Sequence, residues 1–168
     1  HLPMEPMEYP AVNPGQGTLL ADMDPDRLIA QLEKNLDSLS EVKGVNNHMG
    51  SKLTAESSQL YQIFSILKKR GLFFVDSRTT ADSLCRPTAR MFKVPFAQRD
   101  VFLDHQQQPE FIRKQIKELI ETARRHGEAV GIGHPYSSTY TVLKEMIPEL
   151  KESVRMVPAS DIVRIIEK

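Results

Sequence analysis

The sequence predicts a parallel α/β fold, on three observations. Short apolar, β-prone stretches alternate with longer amphipathic ones along the chain. Each of four such stretches ends in a polar residue capable of chemistry: His48 after "KGVNN", Asp76 after "LFFV", Asp104 after "VFL" and His134 after "AVGIG". These four recur every 28 to 30 residues, about one strand-plus-helix unit each. In a parallel barrel or open α/β sheet the carboxyl ends of all strands share one face, and active sites are built there. The spacing therefore predicts that four dispersed residues meet at a single mouth, with His1 a fifth if it too ends a strand.

Taken in order, "HLPMEPMEYPAVNPGQGTLL" holds too many prolines and glycines for a helix or central strand, and reads as the end of a strand followed by a long loop. In "DPDRLIAQLEKNLDSL", Asp24 caps a helix and Pro25 suits its first position, while Leu28, Ile29, Leu32, Leu36 and Leu39 make one stripe. "KGVNN" is a strand. Thr54 opens a helix bearing Leu60, Ile63, Phe64 and Leu67, which stops at Gly71. "LFFVD" is a buried strand, followed by a helical region that Pro87 breaks or restarts. "VFLD" is a strand, and Pro109 starts a helix with Phe111, Ile112, Ile116, Leu119 and Ala123 that ends at Gly127. "AVGIGH" is a strand, "YTVLKEMIPEL" is mostly helical, "VRMVP" is a last strand, and Ser160 caps a final helix.

The chain has 168 residues, enough for one domain with a hydrophobic core. Lys+Arg and Asp+Glu both number 22, so no net positive charge draws it to nucleic acid. The single cysteine, Cys85, excludes an internal disulfide. No stretch has the length and apolarity of a membrane span, so no membrane insertion is expected of this segment.

Each candidate residue has a structural reading beside the chemical one. Asp76, within "DSRTT", could cap the following turn, and Asp104, within "LDHQQQPEF", could organise its loop. His134 lies between Gly133 and Pro135, in a segment suited to tight backbone packing. His48, with Asn46, Asn47 and Ser51 around it, is the hardest to assign to packing alone. His105 and His126 read as surface residues, the latter at a helix C-terminus that favours a positive charge. Two neutral histidines with a carboxylate form a common divalent-metal set. The sequence has no HExxH, P-loop or GxGxxG, and a Ser77–His134–Asp104 triad lacks a nucleophile elbow.

The segments "HLPMEPM", "NPGQGTL", "GVNNHMGSKLT", "GLFFVDSRTT", "RDVFLDH" and "AVGIGHPYSSTYTVL", in that order, resemble the divergent polysaccharide deacetylase family. The resemblance runs from His1 to "VPASDI", essentially the whole chain. It implies a distorted (β/α) barrel, of the kind found in conventional polysaccharide deacetylases, in a bacterial envelope (periplasmic) or exported protein. Conventional relatives hold a metal with one Asp and two His, use a neighbouring Asp as base and a late-strand His as acid. On that pattern His48 and His1 correspond to the metal-ligand histidines, the metal being zinc or another divalent ion. His134 takes the place of the late histidine. Asp76, Asp104 and Arg78 would line the mouth, with Asn47, Ser51 and Tyr136 also on the substrate side. Two departures stand out: the paired HxxxH histidines are absent, and the acidic pair belongs to an N-terminal "IDD"-like strand that these residues do not contain. Residues 1–168 are therefore expected to form a single barrel domain that is N-terminally incomplete, a closed barrel needing about 200 residues or more. The implied activity is metal-dependent removal of acetyl groups from a glycan. A non-catalytic envelope protein that binds glycan or a protein partner, and a hydrolase of non-sugar amides, are the alternatives.

Overall fold

The structure, a computed structural model, describes residues 1–167. Its order is β1 (Leu2–Met4), α1 (Pro25–Asp37), β2 (Gly44–Met49), α2 (Ser57–Arg70), β3 (Phe73–Asp76), α3 (Cys85–Phe92), β4 (Phe96–Gln98), β5 (Val101–Phe102), α4 (Pro109–His126), β6 (Gly131–Ile132) and α5 (Ser137–Ser153). This is an α/β fold with parallel strand pairing. Strands β1 to β4 lie in sequence order in one sheet, and β5 pairs with β6 in another. The chain divides into two compact units, His1–Ala97 with the segment from Val163, and Gln98–Ile162.

In the first unit the register sets Pro3 beside His48 and Asn46 beside Val75. Successive side chains of a strand point to opposite faces. Leu2, Met4, Val45 and Phe74 enter a core with Leu28, Leu32, Leu60, Ile63, Phe64 and Leu67 of α1 and α2. His48, Asn46 and Val75 therefore lie on the face turned away from those helices. Phe74 is fully buried, its ring 5.0 Å from Phe64 and 6.5 Å from Phe96. Helix α1 starts as the sequence predicts, Asp24 accepting a bond from the Arg27 N–H at 2.9 Å with Pro25 in the first turn. Helix α2 ends at Gly71, whose φ of 67° is the left-handed cap conformation.

The second unit packs Val101 and Leu103 against Ile112, Ile116 and Ile120 of α4 and Val142, Met146 and Leu150 of α5. Helix α4 runs from Pro109 to the left-handed Gly127, as read from the sequence.

Several expectations need correction. "VRMVP" forms no strand. Its valines have β propensity but find no pairing partner among the described residues, where a nearby bridge joins Arg164 to Phe96. The expected final helix is one 3₁₀ turn, Ala159–Asp161, in which Ser160 makes no cap. Thr54 does not open α2: it sits in a 3₁₀ turn, buried, with its hydroxyl on the Gly50 carbonyl at 2.6 Å, and α2 begins at Ser57. Leu39 falls beyond the end of α1 and is 66% exposed, and Phe111 is outside the apolar core of its unit. Strand β4 has no counterpart in the sequence reading.

Candidate functional site

Strand β2 reaches past Asn47 through Met49, so His48 is inside the strand rather than beyond it. Its neighbour Asn47 points the opposite way, into the helix-covered side, and is 1% exposed. There its amide is fully used: Oδ1 accepts from the Ser77 N–H at 2.8 Å and Nδ2 donates to the Met49 carbonyl at 2.8 Å. On the other face, Asn46 donates to the Ser77 hydroxyl at 3.0 Å. Asn47 is thus the tie between the ends of β2 and β3.

Asp76 ends β3 and is 2% exposed. One carboxylate oxygen accepts from the Arg78 N–H at 2.8 Å, the other from the Ser83 hydroxyl at 2.7 Å. The first bond spans two residues and helps hold Arg78 at a φ of 49°, in the left-handed region. Burial, and then the negative charge of Asp76, push the Cys85 thiol well above its ordinary range. Cys85 is therefore a protonated core residue and not a nucleophile. Ser51 accepts the Met7 N–H at 2.9 Å, which fastens the loop after β1 to the turn after β2. His1 is exposed and the strand residues Leu2–Met4 follow it, so it is not at the carboxyl end of β1 as the sequence reading allowed.

Glu5 was not singled out by sequence, yet it organises this end of the first unit. It is 5% exposed, pairs with the Lys52 ammonium at 2.7 Å and accepts the Ala21 N–H at 2.5 Å. Its backbone carbonyl accepts from the N–H groups of Lys52 and Leu53. A charged residue between Met4 and Pro6, in an otherwise apolar stretch, was the available signal. Gln98, at the end of β4, was also missed. Its Oε1 is buried with no hydrogen-bond partner among the described residues, an arrangement costing about 1–3 kcal/mol unless a donor reaches it.

In the second unit Asp104 and His134 follow β5 and β6, whose parallel pairing matches Phe102 to Ile132. The Asp104 side chain is completely buried. Its Oδ2 accepts the His134 N–H at 2.6 Å and the Thr139 hydroxyl at 2.8 Å. Oδ1 lies 3.0 Å from His134 Nδ1. An ionised Asp104 only accepts, so this contact goes with a proton on Nδ1. Glycine before His134 leaves room beside the carboxylate: a Cβ on Gly133 would lie 3.3 Å from Asp104 Oδ2, a tight contact.

His134 keeps a third of its side chain exposed, at 33%. Its ring meets Phe102 edge-on at 5.5 Å and Tyr136 at 5.2 Å. Phe102 in turn stacks on His105 and lies under the Arg99 guanidinium, 5.4 Å from the ring centre. The structure thus brings Asp104, His134 and Tyr136 together in one unit. In the other, Asn47, Ser51 and Asp76 each make hydrogen bonds that hold neighbouring loops. Among the described residues no three His, Cys, Asp or Glu side chains are grouped to hold a metal ion. His1 and His48 supply at most two neutral donors of the expected set.

Compared with known proteins, residues 1–163 match the divergent polysaccharide deacetylase family. The chain belongs to this family. Two relatives of the deacetylase-like chain are the uncharacterized protein YibQ of Escherichia coli (strain K12) and an uncharacterized protein of Haemophilus influenzae. Each is 32% identical, over 97% and 98% of the chain. The chain covers 50% and 58% of those two proteins, so it spans about half the length of the relatives it matches. A similar solved structure is that of the uncharacterized protein ATU2773 from Agrobacterium tumefaciens C58. It has a TM-score of 0.92 and 30% identity, covering 96% of this chain and 66% of that one. The α/β fold of this family member is therefore shared with an experimental structure. No helix among the described residues is long and apolar enough to cross a membrane.

Proposed function

We propose that the protein is a metal-dependent hydrolase that removes acetyl groups from a glycan, working from a deacetylase-type (β/α) barrel in the periplasm or outside the cell. Family membership supports the reaction class, and the Asp104–His134 pair is the observation that supports catalysis. A buried carboxylate that fixes one imidazole nitrogen of a part-exposed histidine is the arrangement a general acid needs. In this reading Asp104 is a positioning residue. It keeps Nδ1 protonated and stabilises the imidazolium, while Nε2–H gives its proton to the departing sugar nitrogen or oxygen as the bond to the acetyl carbon breaks.

His48 and His1 would contribute to holding the divalent ion, zinc in the family pattern. The described residues fit part of such a set, two histidines without a grouped carboxylate. When bound, the ion supplies polarisation of the acetyl carbonyl and a more acidic water. A second reading is a glycan-binding envelope protein without hydrolysis. The two separate on one experiment with the full-length protein: acetate release from acetylated oligosaccharides, with His134→Ala compared. The proposal expects release by the parent and a loss of about 10²–10⁴-fold in the variant. Saccharide binding with no acetate release by the metal-loaded parent would establish the second reading.

A further inference from the structure

We propose that one end of the first unit, where β2, β3 and β4 begin, is a docking face for the anionic phospholipid surface of a membrane. The face rests on lipid headgroups and leaves the opposite strand ends, where Asp76 closes β3, turned away from the bilayer. The inference is independent of the deacetylase reading.

The fold brings three links of the chain to this end. In a parallel strand–helix unit each helix finishes near the point where the next strand starts. The links from α1 to β2, from α2 to β3 and from α3 to β4 are therefore neighbours, and hydrogen bonds join them. The Phe73 N–H donates to the Lys43 carbonyl at 3.2 Å, and the Phe74 N–H to the Pro95 carbonyl at 2.9 Å. The Lys68 ammonium donates to the Lys93 carbonyl at 3.1 Å. Each link carries exposed cations: Lys34 and Lys43 with the first, Lys68 and Lys69 with the second, Arg90 and Lys93 with the third. Among the described residues, none of these six is ion-paired to a carboxylate. Of the acids at this end, Asp37 and Glu33 lie against Arg70, at 2.6 and 4.0 Å, and Glu41 is exposed.

The opposite end carries the other sign. Around the loop after β1 and the starts of α1, α2 and α3 stand Glu8, Asp22, Asp24, Asp26, Glu56 and Asp82, all exposed. The chain has no net charge, so its attraction to a charged surface depends on which end meets that surface. Helix dipoles favour cations in a last turn, which accounts for Lys34, Lys68, Lys69 and Arg90. They do not account for Lys43, which lies beyond α1. Lys93 has a φ of 51°, the left-handed cap conformation that α2 gives to Gly71, so a lysine is held there against backbone preference.

Apolar side chains are set among these cations. Leu39, between Lys34 and Lys43, is 66% exposed, and Met91, beside Arg90, is 60% exposed. Next to Leu39 a hollow of about 380 Å³ is lined by Leu36, Val42 and Leu72, with Arg70 also on its wall. On anionic lipid, exposed apolar groups enter the boundary between headgroups and acyl chains while Lys and Arg meet the phosphates. A soluble polyanion would use the cations and leave Leu39 and Met91 in water.

The test uses the full-length protein with vesicles of phosphatidylcholine alone or mixed equally with phosphatidylglycerol, and reads binding by flotation at low and high salt. Binding should be tighter to the mixed vesicles and weaker in high salt. Lys43→Gln with Lys69→Gln should weaken it about 25-fold, at about fivefold for each cation near the surface. Arg27→Gln with Arg86→Gln, the same charge change at the opposite end, should leave it as in the parent. All four residues are exposed, and circular dichroism checks that the variants fold. The contact is located with a polarity-sensitive dye attached at Leu39→Cys or at Glu8→Cys, the native Cys85 being buried. On mixed vesicles the dye should shift to the blue at Leu39→Cys and not at Glu8→Cys. No preference for the anionic vesicles, an equal loss in the two double variants, or a shift at Glu8→Cys alone would overturn the proposal. Binding to polyphosphate that depends on Lys43 and Lys69, with none to mixed vesicles, would replace the membrane by a soluble polyanion.

Discussion

The two units treat the same sequence signal differently. Each presents a buried aspartate at the end of a strand, Asp76 after β3 and Asp104 just after β5, both 2% exposed. The partners of Asp76 are local: the N–H of Arg78, two residues on, and the hydroxyl of Ser83, seven residues on. The partners of Asp104 come from another strand end and the next helix, His134 and Thr139, 30 and 35 residues away. A carboxylate that closes its own turn is a fold device. One that reaches across the sheet to orient a part-exposed imidazole is placed to serve chemistry. Burial does not distinguish them; the sequence distance to the hydrogen-bond donors does. The contrast extends to the aromatics: Phe64, Phe74 and Phe96 fill the first unit's core, while Phe102 and Phe111 stand outside the second's.

The largest expected effect that could break this comparison is at Asp104. Asp104→Asn keeps the volume but offers a neutral group to Nδ1, so the imidazolium loses its counter-charge and its fixed tautomer. Turnover on an acetylated oligosaccharide should fall by about 10²-fold or more, with the pH profile of kcat displaced. An unchanged profile would make Asp104 a loop organiser only. The partner experiment, Asp76→Asn, should appear as a stability loss of about 1–3 kcal/mol from the unpaired donors, read as a lower urea midpoint. A turnover loss beyond what that destabilisation explains would return Asp76 to the chemistry.

A smaller effect concerns the first unit's surface. The hydrogen bond from Arg70 holds the Asp37 carboxyl below its ordinary value, with the Arg70 charge adding to it. A depressed folded-state pKa contributes stability above the unfolded value, and that contribution is lost as pH falls through the lower, folded value. Asp37→Asn should therefore narrow slightly the gap between urea midpoints at neutral and strongly acidic pH. The pair is solvent-exposed, so the change should be the smallest measured here. An equal gap in the variant would mean the pair contributes nothing.

The helices were legible because their signals are local. Asp24–Pro25 and Pro109 mark starts, Gly71 and Gly127 mark left-handed stops, and the apolar spacing between them is helical. The strands were legible only where pairing followed. "VRMVP" has strand composition, but the bridge to Phe96 is made at Arg164, further along the chain. Pairing is a long-range property that Val154 and Val157 do not encode by themselves. For the site, the 28-to-30-residue period located Asp104 and His134, but not that they bond to each other. Which face His48 and Asn47 take follows from strand register, and register depends on the neighbouring strands. Glu5 and Gln98 stayed hidden because their surroundings, and not their identity, give them meaning.

Two proposals are at stake: that His134, held by Asp104, donates a proton during acetyl hydrolysis, and that His48 helps to hold a divalent ion. The most direct test measures acetate release and bound metal together, on the full-length parent, His134→Ala and His48→Ala. The account predicts that His134→Ala keeps the parent's metal content and loses about 10²–10⁴-fold in turnover, while His48→Ala loses metal and activity together. A His134→Ala protein that hydrolyses as fast as the parent, or a His48→Ala protein that retains the parent's metal, would contradict it.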